Sequence, residues 1–124
     1  FFLMQDRRPP GRRLVEGGVP VVTATDFNPG SSPCESMIAV LAFTCMLARL
    51  SVDEAITAAT LNAACALGRA DRSGSIEPGK RADLVVHAVP SRRHLVYRFG
   101  VPRVRAVVAA GKVVVEDGQV LPRG

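Results

Sequence analysis

The chain has 124 residues, of which 48% are apolar and 22% charged, and its 16 basic against 11 acidic side chains give a formal charge of +5. These values are close to the globular average and exclude a disordered chain, a collagen-like repeat and a coiled coil. No apolar run approaches the roughly 20 residues of a membrane span, so we expect no membrane contact.

The first part of the chain predicts alternating strands and helices. Phe1–Met4 is a short apolar run that a strand can use, and Gly11–Glu16 follows two prolines that suit a helix entry. Val19–Thr25 (VPVVTAT) is β-branched and almost wholly apolar, as in a parallel strand covered on both faces. Strand, helix and buried strand in series predict a βαβ unit.

Helix starts follow in the next stretch. A serine with a glutamate three residues later is the capping-box pattern, and it occurs at Ser32/Glu35 and again at Ser51/Glu54. Each pair predicts a helix that begins directly after the serine. A further short helix is predicted over Leu61–Leu67.

From residue 71 onwards the pattern changes to short β-branched runs. Strands are predicted at Asp83–His87, Val104–Ala109 and Lys112–Glu116. Val120–Leu121 is predicted to start one more strand. The short link that contains Gly111 is a hairpin signature. The sequence therefore predicts an α/β region over residues 1–70 and an antiparallel β region over residues 71–124.

A polar loop follows the predicted strand Val19–Thr25. Asp26 comes at the carboxyl end of the strand, where an aspartate can hold a divalent cation or act as a general base, or else cap the loop. Asn28, Gly30 and Ser31 lie just before a predicted helix start, which suits an anionic ligand. Plain turn chemistry explains the same residues, and both interpretations stay open at this point.

Four stretches of the sequence resemble one known family. ATDFNPGSSP at residues 24–33 resembles the loop after the last barrel strand of the imidazolonepropionases, enzymes of histidine degradation in the amidohydrolase superfamily. AATLNAA at 58–64 and GSIEPGKRADLVV at 74–86 are similar to stretches found in many amidohydrolases, and YRFGV at 97–101 is similar to the C-terminal region of the family.

The resemblance implies a fold. The chain is expected to be the C-terminal fragment of a (β/α)8 metal-dependent hydrolase barrel, followed by part of a small antiparallel β domain. In that arrangement residues 1–70 are the last barrel strands and closing helices, and residues 71–124 belong to the small domain. A complete barrel needs about 250 residues, so most of it lies outside this chain.

The resemblance also implies an activity. Family members hydrolyse 4-imidazolone-5-propanoate to N-formimidoyl-L-glutamate with one zinc or iron ion, in the cytoplasm, and the full-length enzyme is expected to be a homo-oligomer. Asp26 matches the aspartate that binds the metal and takes the proton of the attacking water. Asn28, Gly30 and Ser31 match positions that contact the substrate or product.

This sequence departs from the family pattern in its histidines. The family's H-x-H pair and later histidine have no counterpart, since the only histidines are His87 and His94. The chain is therefore expected to be inactive by itself. Its three cysteines, an odd number with no close pair, fit a reducing cytoplasm and an inert, buried role.

Two alternatives remain open. One is a related amidohydrolase with another substrate, a cyclic-amide hydrolase or a deaminase. The other is a non-catalytic basic binding module, suggested by the charge and by the pairs Arg12-Arg13 and Arg92-Arg93. Only 5% of residues are aromatic and no binding motif occurs, so we expect no nucleic-acid partner.

Overall fold

Helices occupy the first part of the chain and a small sheet occupies the last part. The computed structural model describes residues 7–122, so the predicted strand Phe1–Met4 lies outside the described residues. The helices of that part are α1 Gly11–Glu16, α2 Met37–Leu47, α3 Val52–Ala59, α4 Leu61–Ala66 and α5 Arg93–Tyr97. The strands are β1 Leu84–His87, β2 Val104–Ala109, β3 Lys112–Glu116 and β4 Gln119–Val120.

The segment Val19–Thr25 does not form the predicted strand. It has no strand partner among residues 7–122, and the other strand of the predicted βαβ unit, Phe1–Met4, lies outside the described residues, so that unit stays a prediction. Helices hold the segment instead: Thr23 N–H donates to the Ala58 carbonyl at 3.3 Å, and Asn62 Nδ2 donates to the Val21 carbonyl at 2.9 Å. A β-branched apolar run pairs as a strand only where a neighbouring strand presents its backbone.

Helix α2 begins at Met37, four residues later than the capping-box pattern predicted. Ser36 is the residue that caps it, since the Ser36 hydroxyl accepts a hydrogen bond of 3.2 Å from Ala39 N–H. The hydroxyl of Ser32 instead donates to the carbonyl oxygen of Thr25 at 2.7 Å. Because the Ser32 hydroxyl bonds the Thr25 carbonyl, Ser36 and not Ser32 caps the helix.

Helix α3 begins where the sequence predicted. Ser51 Oγ accepts from Glu54 N–H at 3.2 Å, and Glu54 Oε2 accepts from Ser51 N–H at 2.7 Å, which completes the capping box. The other carboxylate oxygen of Glu54 accepts from Arg12 Nη2 at 2.6 Å, so the cap also ties α1 to α3. Helix α4 follows directly and ends one residue before the predicted end.

Small side chains form the centre of the helical part. Its buried apolar residues are Ala39, Leu41, Ala42, Ala48, Leu50, Ala55, Ala58 and Ala64. Gly11 in α1 belongs to the same contact, because a Cβ atom there would lie 2.7 Å from Ala48 Cβ. The helices can therefore approach closely, as the alanine-rich sequence suggests.

The sheet confirms the predicted antiparallel region. Its order is β1-β2-β3-β4, and Val107 of β2 stands opposite both Val85 and Val115. Ala110 and Gly111 join β2 to β3 with φ of 50° and 80°, as in the two-residue turn that matches strand twist. Strands β2 and β3 have the predicted bounds, β1 starts one residue later, and β4 starts one residue earlier.

Helix α5 was not predicted. It has five residues, begins within the pair Arg92-Arg93, and has no side-chain hydrogen bond at its N-cap among the described residues. Tertiary contacts hold its surroundings instead: Arg92 forms an ion pair with Asp53 of α3, and Phe99 meets Phe43 of α2 edge to face at 5.7 Å between ring centroids. Such a helix depends on partners far along the chain.

Candidate functional site

Asp26 directly follows the extended segment Val19–Thr25. Its carboxylate forms no hydrogen bond or ion pair with any of residues 7–122, and the residue is exposed. Its backbone has φ of 48°, in the left-handed region that aspartate tolerates better than most residues. Among the described residues the carboxylate therefore does not cap the loop and is available to an external ligand.

Asn28 supplies the turn chemistry of the loop. Its Oδ1 accepts from Gly30 N–H at 2.9 Å and from Ser31 N–H at 2.8 Å, while its Nδ2 donates to the Asp26 carbonyl at 2.7 Å. The Ser31 hydroxyl donates a longer bond of 3.3 Å to the same Oδ1. An asparagine that bonds its own following backbone is an Asx turn, so Asn28 holds the loop conformation.

The base of the loop is closed by Ser32. Asn28 N–H donates to the Ser32 carbonyl at 2.9 Å, and the Ser32 hydroxyl donates to the Thr25 carbonyl at 2.7 Å. Sequence reasoning assigned Ser32 to a helix cap and missed this anchor. The presence of a second serine, Ser36, next to the apolar helix was the available signal that the cap lay elsewhere.

The four site residues predicted from the sequence belong to one short loop. Asp26, Asn28, Gly30 and Ser31 lie within six residues, and all but Asp26 join a hydrogen-bond cluster around Asn28 Oδ1. A Cβ atom on Gly30 would stand 3.3 Å from that oxygen, so a larger residue there presses on the cluster. Their roles toward a substrate stay predictions.

A cavity of about 660 Å³ lies behind the loop, between residues 21–25, residues 31–34 and one side of α2. Its lining is mostly apolar and includes Val22, Val40 and Phe43. Neither Asp26 nor Asn28 lines it. This surface suits the packing of apolar side chains better than the binding of a polar substrate.

The perturbed titrating groups lie away from the loop and have structural causes. Ser51 N–H, together with the Arg12 guanidinium, lowers the pKa of Glu54 at the α3 N-terminus. The bond from Arg92 lowers the pKa of Asp53. Burial lowers the pKa of His87 and raises that of the Cys45 thiol. These shifts follow from hydrogen bonds at helix ends or from burial, and among the described residues none of these four groups bonds the candidate loop.

Metal-ligating side chains are scattered over the described part of the chain. Among residues 7–122, no three histidine, cysteine, aspartate or glutamate side chains come close enough together to hold an ion. Asp26 offers one carboxylate, whereas a catalytic zinc has three protein ligands. The described residues therefore do not form a metal site by themselves. In the same part of the chain, no helix has the length and apolar character needed to cross a membrane.

The helical part, the antiparallel sheet and the loop that follows Asp26 can be compared with known protein families. The model of the amidohydrolase family matches residues 4–114, and the chain belongs to that family. Within it, the chain is 49% identical over 120 residues to an imidazolonepropionase of Geobacillus kaustophilus, covering 97% of this chain and 28% of that relative. It is 46% identical over 123 residues to an imidazolonepropionase of Shouchella clausii, covering 99% of this chain and 27% of that relative.

A solved structure extends the comparison to the fold. An adenosine deaminase from Xanthomonas campestris, solved with bound zinc, superposes with a TM-score of 0.78 at 28% identity, over 93% of this chain and 30% of that one. The identities with the two imidazolonepropionases confirm the resemblance to that family that the sequence indicated. The relatives named here are enzymes by name, and none of them is a basic binding module. The chain spans less than a third of the length of the curated relatives that it matches.

Proposed function

We propose that the chain is the C-terminal part of an imidazolonepropionase, which hydrolyses 4-imidazolone-5-propanoate to N-formimidoyl-L-glutamate. The observation that carries the proposal is the Asp26 carboxylate, which has no partner among residues 7–122 and lies at the start of a loop whose other polar groups bond one another. The identity of 49% with a curated imidazolonepropionase supports the choice of substrate.

Asp26 has the catalytic role in this proposal. Its carboxylate oxygen accepts the proton of the attacking water, which needs a basic group within hydrogen-bond reach of that water. The residue is exposed and forms no ion pair with the described residues, which keeps that oxygen accessible. A carboxylate engaged in an internal cap would have to break that cap first.

The next residues contact the substrate. The Ser31 hydroxyl makes only a 3.3 Å bond within the loop and can turn to a ligand, and one N–H of the Asn28 amide has no partner among the described residues. Gly30 has no side chain, which lets a ligand approach the backbone closely.

One zinc or iron ion completes the proposed centre, with Asp26 as one ligand and the remaining ligands in parts of the enzyme outside this chain. When bound, the ion acts as a Lewis acid and makes water nucleophilic at neutral pH. We also propose that the complete enzyme is a cytoplasmic homo-oligomer.

Two features support the proposal that this chain belongs to a (β/α)8 barrel. The extended segment 19–25 has no strand partner among residues 7–122, and the apolar cavity beside it has room for side chains. Both features support residues 1–70 as the last strands and closing helices of a (β/α)8 barrel, with the missing strands beside them. Residues 71–124 then form part of the small β domain.

A deaminase is the second candidate, favoured by the likeness to the Xanthomonas campestris adenosine deaminase. The complete protein, isolated with metal in the medium, should be assayed with 4-imidazolone-5-propanoate and with adenosine. Product that contains the formimidoyl group, with no ammonia release from adenosine, is expected. Ammonia release from adenosine without hydrolysis of the imidazolone would reject the proposal.

A further inference from the structure

Ser32 holds the peptide group that precedes Asp26. Its hydroxyl donates a part-buried hydrogen bond of 2.7 Å to the carbonyl oxygen of Thr25, seven residues earlier in the chain. The Ser32 carbonyl accepts from Asn28 N–H at 2.9 Å. A single residue therefore joins the end of the extended segment to the far side of the loop.

Side chains hold the backbone on both sides of Asp26. Asn28 Nδ2 donates to the Asp26 carbonyl at 2.7 Å, and Thr25 Oγ1 accepts from Phe27 N–H at 3.4 Å. With the bond from Ser32, every one of these contacts is made to a peptide group. The carboxylate itself has no partner in the described part of the chain, so the loop fixes the direction of the Asp26 Cα–Cβ bond and leaves the carboxylate accessible.

The conformation of Asp26 needs such support. Its φ of 48° lies in the left-handed region, which residues with a Cβ atom adopt only when their surroundings hold them there. A return to negative φ is a rotation between the Thr25–Asp26 peptide and the Asp26 Cα, and it redirects the carboxylate. Because Ser32 bonds the carbonyl of that peptide, its hydroxyl opposes the rotation.

We infer that Ser32 is a positioning residue, whose bond to the Thr25 carbonyl keeps the Asp26 carboxylate in its reactive direction. The inference rests on the proposed function, in which that carboxylate accepts a proton. Proton transfer needs hydrogen-bond reach, and a small misplacement of the accepting group lowers the rate more than it lowers substrate binding. The loss of the Ser32 hydroxyl should therefore appear in kcat.

The test uses the complete enzyme and three serine variants. Ser32→Ala should lower kcat about fivefold to tenfold, the scale of one lost hydroxyl–carbonyl bond, and leave KM within about twofold. Ser32→Thr keeps the hydroxyl, and its methyl group can enter the adjoining cavity, so kcat should return to within about twofold of the parent. Ser73→Ala is the matched control, since it removes a similar bond of 3.0 Å to the Arg69 carbonyl outside the loop.

A second measurement does not depend on activity. Amide hydrogen exchange is followed in metal-free complete protein over the peptide that covers residues 24–33. Ser32→Ala should accelerate exchange in this peptide alone, whereas Ser32→Thr and Ser73→Ala should leave it unchanged. A general fall in thermal stability without loop-specific exchange would show a purely structural role and overturn the inference.

Asp26→Asn, assayed beside these variants, separates the two levels of the argument. If Asp26→Asn loses turnover while Ser32→Ala keeps kcat within twofold, the positioning role is wrong and the proposed function stands. If Asp26→Asn turns over normally, the proton-accepting role of Asp26 fails and the inference fails with it, whereas the turnover itself still supports the proposed hydrolysis of 4-imidazolone-5-propanoate. A Ser32→Ala loss confined to KM would also overturn the inference.

Discussion

Asn28→Ala tests whether the candidate loop has one conformation held by one side chain. The substitution removes the bonds of 2.7, 2.8 and 2.9 Å that Asn28 makes to the backbone of Asp26, Ser31 and Gly30. A neutral hydrogen bond contributes about 0.5–1.5 kcal/mol net, and the lower end applies to bonds that water can replace in an exposed loop. Three such bonds give about 1.5–2 kcal/mol, a tenfold to thirtyfold rise in the open loop population.

The assay is kcat/KM for 4-imidazolone-5-propanoate in the complete enzyme, measured with the thermal midpoint. We expect kcat/KM to fall at least tenfold, because the variant loses the Asn28 amide group that is proposed to contact the substrate and also opens the loop. The midpoint should change little, because an exposed loop can open without global unfolding. Asn28→Asp is the matched variant, since its carboxylate keeps the acceptor for Gly30 and Ser31 and loses the donor to Asp26; its loss should be intermediate. Activity within twofold of the parent in Asn28→Ala would refute the reasoning.

Two further predictions concern the helical scaffold. Gly11→Ala should lower the unfolding free energy by about 1–3 kcal/mol through overpacking, because its Cβ would lie 2.7 Å from Ala48 Cβ and from Leu50 Cδ1. Gly100→Ala is the control, since the space around Gly100 is open. Equal thermal midpoints for the two variants would contradict this packing. Glu54→Gln should lower the thermal midpoint at pH 7. Because the folded-state pKa of Glu54 is lowered, its stabilisation is present above the ordinary value of 4.5 and is lost as pH falls through the folded pKa. The difference from the parent should therefore shrink in acid, and a difference that grows below pH 4.5 would contradict the assignment.

Local signals in the sequence predicted the elements whose partners are close in the chain. The Ser51/Glu54 capping box and the hairpin around Gly111 both depend on residues a few positions apart, and both formed as predicted. The Val19–Thr25 strand failed because pairing depends on a neighbouring strand, which composition does not reveal. Helix α5 was missed for a similar reason, since its ion pair reaches 39 residues back to α3.

The candidate site divides in the same way. The resemblance indicated Asp26, Asn28, Gly30 and Ser31, and the turn chemistry of Asn28 involves only the next three residues. The anchoring of the loop by Ser32 needed the folded chain, because the sequence offered a helix cap as an equally good use of that hydroxyl. The structure thus shows which loop side chains bond the backbone, and among residues 7–122 it gives the Asp26 carboxylate no partner.

The central claim is that the Asp26 carboxylate accepts a proton in the reaction, and Asp26→Asn tests it most directly. Asparagine keeps the size and one oxygen but has no basic carboxylate. Bound metal and turnover should be measured on one preparation of the complete enzyme. The account predicts a loss in kcat of about 10²-fold or more with a smaller fall in metal content. Near-normal turnover by Asp26→Asn would remove this residue from the reaction and contradict the account.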